Sequence, residues 1–259
     1  MKLSERRHTL RSTSLLQNRI LSLLPESDLH ELTPDLERIK LECGIDICMT
    51  GETQTHVYFP TTSIISLQAD TENAKTAEIG VTGNEGYVGL GLAMGGNTTT
   101  HRVSVASGGY AYRIKANLFK KELQKNGAFQ MQIFAYTQCL LTQMGVNGVC
   151  NKHHSVDQQF LKLLLSTSDR LNTDKLYVTH EDLSNKLGVR RESITQAASR
   201  YKKEGLIDYS RGVIKLINRP RLEKEVCECY GTMNKEFNWL LKKSKPSQSA
   251  DTYTITSPG

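Results

Sequence analysis

No stretch of this 259-residue chain stays apolar for the roughly 18 positions a helix needs to cross a bilayer. The opening residues, MKLSERRHTLRSTS, also lack the apolar core of a secretory signal. Both absences lead to the expectation of a cytoplasmic protein with no membrane partner. Cysteine is sparse, with six residues at positions 43, 48, 139, 150, 227 and 229. In a large intracellular chain these make no disulfide framework, and they are expected as reduced thiols. The Gly-rich P-loop, the HExxH helix and the GxSxG elbow are all missing, so nothing marks the chain as an enzyme.

What is present is enough apolar material, 38% of residues, to bury a core in each of two domains, the number that the length favours. The net charge of +6 is unevenly placed. Residues 186–224 hold eleven Lys or Arg (186, 190, 191, 200, 202, 203, 211, 215, 219, 221, 224) against four acids, so this segment carries +7 and the rest of the chain −1. Cations gathered on one segment form an electrostatic footprint for phosphates, whose condensed counterions are released on binding. A merely solvated basic surface would look the same by charge alone.

The first ~20 residues read as a loose arm, and residues 18–39 as two or three short helices around Pro25 and Pro34. Over 41–114 the pattern changes to short strand-like runs: Val57 to Pro60, Ile64 to Leu67, Ala77 to Val81, Val103 to Ala106 and Tyr110 to Ile114. Glycines in the connections predict an antiparallel sandwich, a small jelly roll. After Asn126 a helix of about 25 residues follows, with Phe129, Ile133, Tyr136, Leu140 and Met144 on one apolar side and Met131, Phe134 and Leu141 on another. Two apolar sides call for two partners: the β domain and the same helix of a second subunit. The first stripe, Phe129 to Met144, is taken as the dimer interface. A helix packed wholly within its own domain is the plainer alternative. Gly145 and Gly148 place a hinge ahead of His154. Ser155 then caps another amphipathic helix, and beyond Tyr230 the composition predicts a tail without structure.

The function is written most clearly between residues 179 and 216. Thr179-His180-Glu181-Asp182 reads as an N-cap with acids in the first turn, Leu183 and Leu187 as a buried side, and Gly188 as a stop. A second helix follows with Ile194, Ala197, Ala198 and Tyr201 inward. Its outward face, stepped at about 100° per residue, gathers Glu192, Gln196, Ser199 and Lys203, with Arg200 beside them and Arg190 and Arg191 at its start. Arg, Gln and Glu are the side chains that pair with guanine, adenine and the cytosine amino group. Gly205 closes the helix, and LIDYSRGVIKL reads as a basic hairpin turning at Ser210-Arg211-Gly212. Helix, tight turn, helix and wing together predict a winged helix-turn-helix.

The run LGVRRESITQAASRYKKEGLIDYSRGVIKL, with CNKHHSVDQQFLKLLLSTSDR before it and LEKEVCECY after it, resembles the C-terminal half of bacterial Crp/Fnr-type transcriptional regulators, in one of their less-characterised branches. The resemblance implies an α+β chain: a cyclic-nucleotide-binding-like jelly roll as sensor over 1–126, a dimerisation helix and hinge over 127–153, a winged helix-turn-helix over 154–230, and a tail over 231–259. It places Arg191, Glu192 and Gln196 at the three main base-reading positions. The third is often Arg in the family's best-known members, so Gln196 departs from them. Arg190, Ser193, Thr195, Arg200, Lys203 and Arg211 are expected on the DNA backbone. Implied partners are double-stranded DNA on a near-palindromic operator, a second copy of the chain, RNA polymerase and a small-molecule effector.

Gly83, Glu85 and Gly86 sit where the family's phosphate-binding cassette would be, and Arg102 is the cation nearest in sequence, giving a candidate effector pocket. The usual Arg-Ser/Thr pair is absent, which argues against cyclic AMP held by the usual contacts. Cys43-x4-Cys48 with Cys139 or Cys150 lacks the tight spacing of iron–sulfur ligation, Cys227-x-Cys229 is too close for an ordinary metal knuckle, and His153-His154 reads as polar surface. No cofactor and no metal is expected. A non-enzymatic cyclic-nucleotide-binding adaptor is the alternative reading, but it has no use for Arg190, Arg191, Arg200, Lys202 and Lys203 gathered beside Gln196.

Overall fold

The structure, a computed structural model, describes residues 14–70, 72 and 76–240. The arm predicted over the first 13 residues and the part of the predicted tail from 241 onward lie outside the described residues.

Two short helices open the described chain, α1 (Arg19–Ser22) and α2 (Glu26–Leu32). Asn18 caps α1, and its side-chain amide donates to Pro60 O and Gly86 O, both at 2.8 Å, which ties the start of the chain to two distant loops. Seven strands follow: β1 (Glu37–Leu41), β2 (Asp46–Cys48), β3 (His56–Pro60), β4 (Ile64–Asp70), β5 (Thr76–Thr82), β6 (Arg102–Ser107) and β7 (Gly109–Lys115). They form two antiparallel sheets, β1-β7-β3 and β2-β6-β4-β5. The inward alternation is clear where β3 meets β7: Val57 lies opposite Ile114 and Phe59 opposite Tyr112, all four buried. The sheets enclose one core with the helices that pack on them, as the jelly-roll expectation required.

The helical reading of 18–39 overruns at its end, because residues from Glu37 form β1. Pairing across the sheet decides this strand: Glu37 lies opposite Arg113 and accepts its Nε hydrogen bond at 2.8 Å, while the Arg38 guanidinium covers the Tyr110 ring.

After a single turn of helix, α3 (Leu90–Ala93), and a short helix, α4 (Ala116–Leu123), the chain enters the long helix α5 (Ala128–His153). Gln143 of α5 reaches the free edge of β5, accepting from Val81 N at 2.7 Å and donating to Val81 O at 3.1 Å. A helix that satisfies a strand edge in this way is held in register with the sheet as well as packed on it. Gly145 and Gly148 lie within α5 and leave it unbroken as far as His153.

The second core is built from α6 (Val156–Leu171), β8 (Lys175–Tyr177), α7 (His180–Leu187), α8 (Arg191–Lys203), β9 (Ile207–Ser210), β10 (Val213–Leu216) and α9 (Arg219–Glu225). Ser155 and Gln158 close a capping box at the start of α6. The three strands form a sheet in the order β8-β10-β9. The last helix among the described residues, α10 (Glu228–Leu240), replaces structure-free tail for residues 231–240. Its Met233 and Phe237 are buried in the first core, beside α5, so α10 crosses from one domain to the other. Phe237 lies 6.2 Å from the Tyr136 ring between centroids.

Candidate nucleic-acid interface

The helix-turn-helix is fixed locally at each joint. Thr179 caps α7 and forms a capping box with Asp182. Gly188 ends the helix with φ +64°, a left-handed conformation that costs a side-chain-bearing residue roughly 1–2 kcal/mol. Arg190 N-caps α8, which buries Ile194, Ala197, Ala198 and Tyr201 and exposes Arg191, Glu192, Thr195, Gln196, Ser199 and Lys203. The two alanines let α8 lie close to α6 and α7, and the Phe160 and Tyr201 rings stack at 6.2 Å beneath it. Ser193 is half-buried at the first turn. Arg191, Glu192 and Gln196 therefore share one open face.

The hairpin β9–β10 turns on Arg211 and Gly212, with φ of +48° and +76°, between paired Ser210 and Val213. Two positive φ values in a two-residue loop define a type I′ turn, which matches strand twist and pushes the Arg211 side chain out at the tip. The wing is braced against α8. Lys202 donates to Tyr209 O at 3.1 Å and pairs with Asp208 at 2.7 Å. His180 of α7 joins the same junction, its Nδ1 3.2 Å from Thr195 Oγ1 and its ring 4.9 Å from Tyr209. Burial, then the nearby Arg191 charge, holds the His180 pKa below the ordinary histidine value.

Of the eleven cations in this segment, four are engaged by carboxylates. Arg200 pairs with Asp157 and Glu204 and lies over the Tyr201 ring, which braces α8, and its side chain stays 49% exposed. Lys202, Arg219 and Arg221 are likewise paired. Lys186, Arg190, Arg191, Lys203, Arg211, Lys215 and Lys224 form no ion pair with a described residue.

The predicted effector residues do not converge. Glu85 points at the DNA-binding half, where its carboxylate accepts from Arg170 Nε at 2.7 Å, and its other oxygen accepts from Gly83 N at 3.1 Å. Gly86 lies under Tyr136, so closely that an added Cβ would sit 1.9 Å from the ring. Arg102 is bound elsewhere, to Asp70 at 3.1 Å and Asp46 at 3.6 Å. The glycines thus admit a helix side chain where a phosphate was expected. An open cleft of about 490 Å³ lies beside this loop, between the domains, lined by Arg19, Asn84, Glu85, Arg170, Arg219 and Asn238 among others.

The stripe expected to pair two subunits faces the chain's own core. Phe129, Ile133, Tyr136 and Leu140 are buried in the chain's own core, with Met144 packed against them. The other side of α5 is open: Met131 is 60% exposed, Phe134 45%, Leu141 50% and Val149 55%. Sequence periodicity alone could not say which side turns inward. A cluster that sequence reasoning dismissed does converge: Cys150, His154, Cys227 and Cys229 place their ligand atoms within 4.8 Å of one another. Cys43 is exposed on the β domain, and neither it nor Cys48 or Cys139 belongs to this group.

The chain thus joins a winged helix-turn-helix by a long helix to a two-sheet β domain. Residues 158–225 match the family model of the Crp-like helix-turn-helix domain, and the chain as a whole has the Crp/Fnr regulator fold. FixK2 from Bradyrhizobium japonicum superposes with a TM-score of 0.65 at 15% identity, over 74% of this chain and 98% of that one. CLP of Xanthomonas campestris, a c-di-GMP-responsive global regulator, gives 0.60 at 15% identity, over 74% and 99%. TTHB099, a CRP-family transcriptional regulator from Thermus thermophilus, gives 0.57 at 12% identity, over 80% and 100%. No curated protein sequence matches the chain.

Proposed function

We propose that the protein is a sequence-specific DNA-binding transcriptional regulator that acts as a homodimer on a near-palindromic operator. The observation that carries this reading is the open face of α8, where Arg191, Glu192 and Gln196 stand together with no ion pair to a described residue, flanked by Arg190, Lys203 and, on the wing, Arg211. Side chains of these types read base edges in the major groove, and cations around them hold the phosphates. Two copies of α8 would enter successive major grooves about 34 Å apart. The exposed stripe of Met131, Phe134, Leu141 and Val149 supplies the two-fold contact, an apolar row on a helix long enough to pair with its copy.

Domains 1–126 and 154–230 serve as sensor and DNA reader, with α5 between them, and the output is delivered to RNA polymerase. The sensor does not hold cyclic AMP by the usual contacts: Tyr136 fills the space over Gly86, Glu85 is bound to Arg170, and Arg102 to Asp70. The test is selection of binding sites from random duplex DNA with the full chain, followed by anisotropy titration of the enriched site at several salt concentrations. A palindromic winner bound by one dimer far more tightly than random duplex supports the reading. Equal affinity for winner and random duplex would overturn it.

A further inference from the structure

We propose that Cys150, His154, Cys227 and Cys229 form a four-coordinate site for a single zinc-type divalent cation that staples the end of α5 to the start of α10. Cys150 and His154 lie four residues apart at the end of α5, on one side of the helix. Cys227 sits in the short link between α9 and α10, and Cys229 is in the first turn of α10. The three thiols are buried, and Val146 and Val226 pack against them as a small apolar shell.

The spacing fits one tetrahedral ion. With zinc–sulfur bonds of about 2.3 Å and zinc–nitrogen bonds of about 2.0–2.1 Å, two sulfurs of a tetrahedron stand about 3.8 Å apart, and a sulfur and a nitrogen about 3.6 Å apart. Cys150 Sγ and Cys227 Sγ are 3.8 Å apart, and Cys229 Sγ and His154 Nδ1 are 3.5 Å apart. All four ligand atoms fall within 4.8 Å of each other. An iron–sulfur cluster divides its ligands over two or more irons joined through sulfide, which spreads the set more widely than one ion does. Three sulfurs with one imidazole is also a ligand set that favours zinc over the harder cations.

The outer shell is in place as well. His154 Nε2 lies 3.1 Å from Glu228 Oε1, a partner suited to a ring that is protonated on Nε2 and ligates through Nδ1. A carboxylate behind a ligating histidine is the usual device for fixing its tautomer and raising its basicity. The Gln159 side chain donates to His154 O at 2.9 Å and holds the backbone of the same residue. With four protein ligands the site has no open position, which makes it a structural or regulatory ion rather than a hydrolytic one. Its place matters: the junction it closes is where α5 hands over to the DNA-binding half.

The site can be tested without reference to DNA. The reduced full-length chain is titrated with Co2+, then with Zn2+, and the zinc-loaded protein is measured by X-ray absorption at the zinc edge. The expected result is one Co2+ per chain with a thiolate-to-cobalt charge-transfer band and tetrahedral visible bands, bleached by Zn2+, and a zinc shell of three sulfurs and one nitrogen. C227S/C229S abolishes the band and C43S leaves it. Because that double variant removes buried groups, Glu228→Ala is the milder companion: it acts on an exposed side chain and should weaken metal binding about 10- to 100-fold. A cobalt spectrum without thiolate charge transfer, a band that survives C227S/C229S, or a Cys150–Cys227 disulfide in protein purified without oxygen would overturn the proposal.

Discussion

Glu85 and Arg170 form an ion pair across the two halves of the molecule, at 2.7 Å and with side chains only 11% and 8% exposed. Arg170 also donates to Ser166 O, within its own helix. Burial works against the guanidinium charge, but the Glu85 carboxylate outweighs it and holds the Arg170 pKa above its ordinary value. The loop that the sequence marked for a ligand is thereby fastened to α6, the first helix of the DNA-binding half.

Breaking that pair from either side leaves a buried charge without its partner. Glu85→Gln or Arg170→Met should each cost about 3–5 kcal/mol in urea denaturation, while E85L/R170M, which removes both charges, should recover most of that loss. Additive losses in the double variant would show that the two residues act separately.

The two sides of α5 should separate cleanly in sedimentation. Phe134→Asp and Leu141→Asp change exposed side chains and should shift the protein toward monomer while keeping its circular dichroism and thermal midpoint close to those of the parent. Phe129→Asp places a charge in the core and should unfold the β domain. A dimer that survives both exposed substitutions would move the two-fold contact elsewhere.

The recognition helix and the wing should fail in different ways. Gln196→Ala is expected to lose about 1–3 kcal/mol at one base pair and to relax the preference there. Arg211→Gly keeps the positive φ of the wing tip and removes only the cation, so it should weaken every sequence alike and reduce the salt slope by about 1. Sequence-blind losses in both variants would remove the distinction between reader and anchor.

Acidification should loosen the winged domain through His180. Its folded pKa lies below the ordinary 6.5, so as the pH falls past that value the unfolded chain takes up a proton before the folded one does. The neutral ring's contribution is present above the unfolded pKa and is lost as pH falls toward the folded one. Denaturation followed from pH 7.5 to 5 should give a shallower decline for His180→Gln than for the parent, and equal slopes would exclude His180 as a source.

The helix-turn-helix was legible because its signals are local. Thr179, Asp182, Gly188, the spacing of Ile194, Ala197, Ala198 and Tyr201, and the Arg211-Gly212 turn all act within a few residues of where they stand. The misreadings came where distant partners decide. β1 becomes a strand because β7 lies beside it, and the apolar side of α5 that turns inward is chosen by the sheets and by Phe237. Arg200 is an open cation in the sequence and a braced one in the fold, because Asp157 lies 43 residues away. The Cys and His cluster joins residues 77 apart, a separation that no spacing rule anticipates.

Helix α10 alters what a domain means in this chain. Met233 and Phe237 fill the core that β1 to β7 and α5 begin, so the β domain is finished by residues that follow the DNA-binding half. On the ribosome, the β domain must wait for α10, made after the DNA-binding half, before its interior closes. A fragment cut after Tyr230 would keep every strand of the β domain and still lack part of its floor.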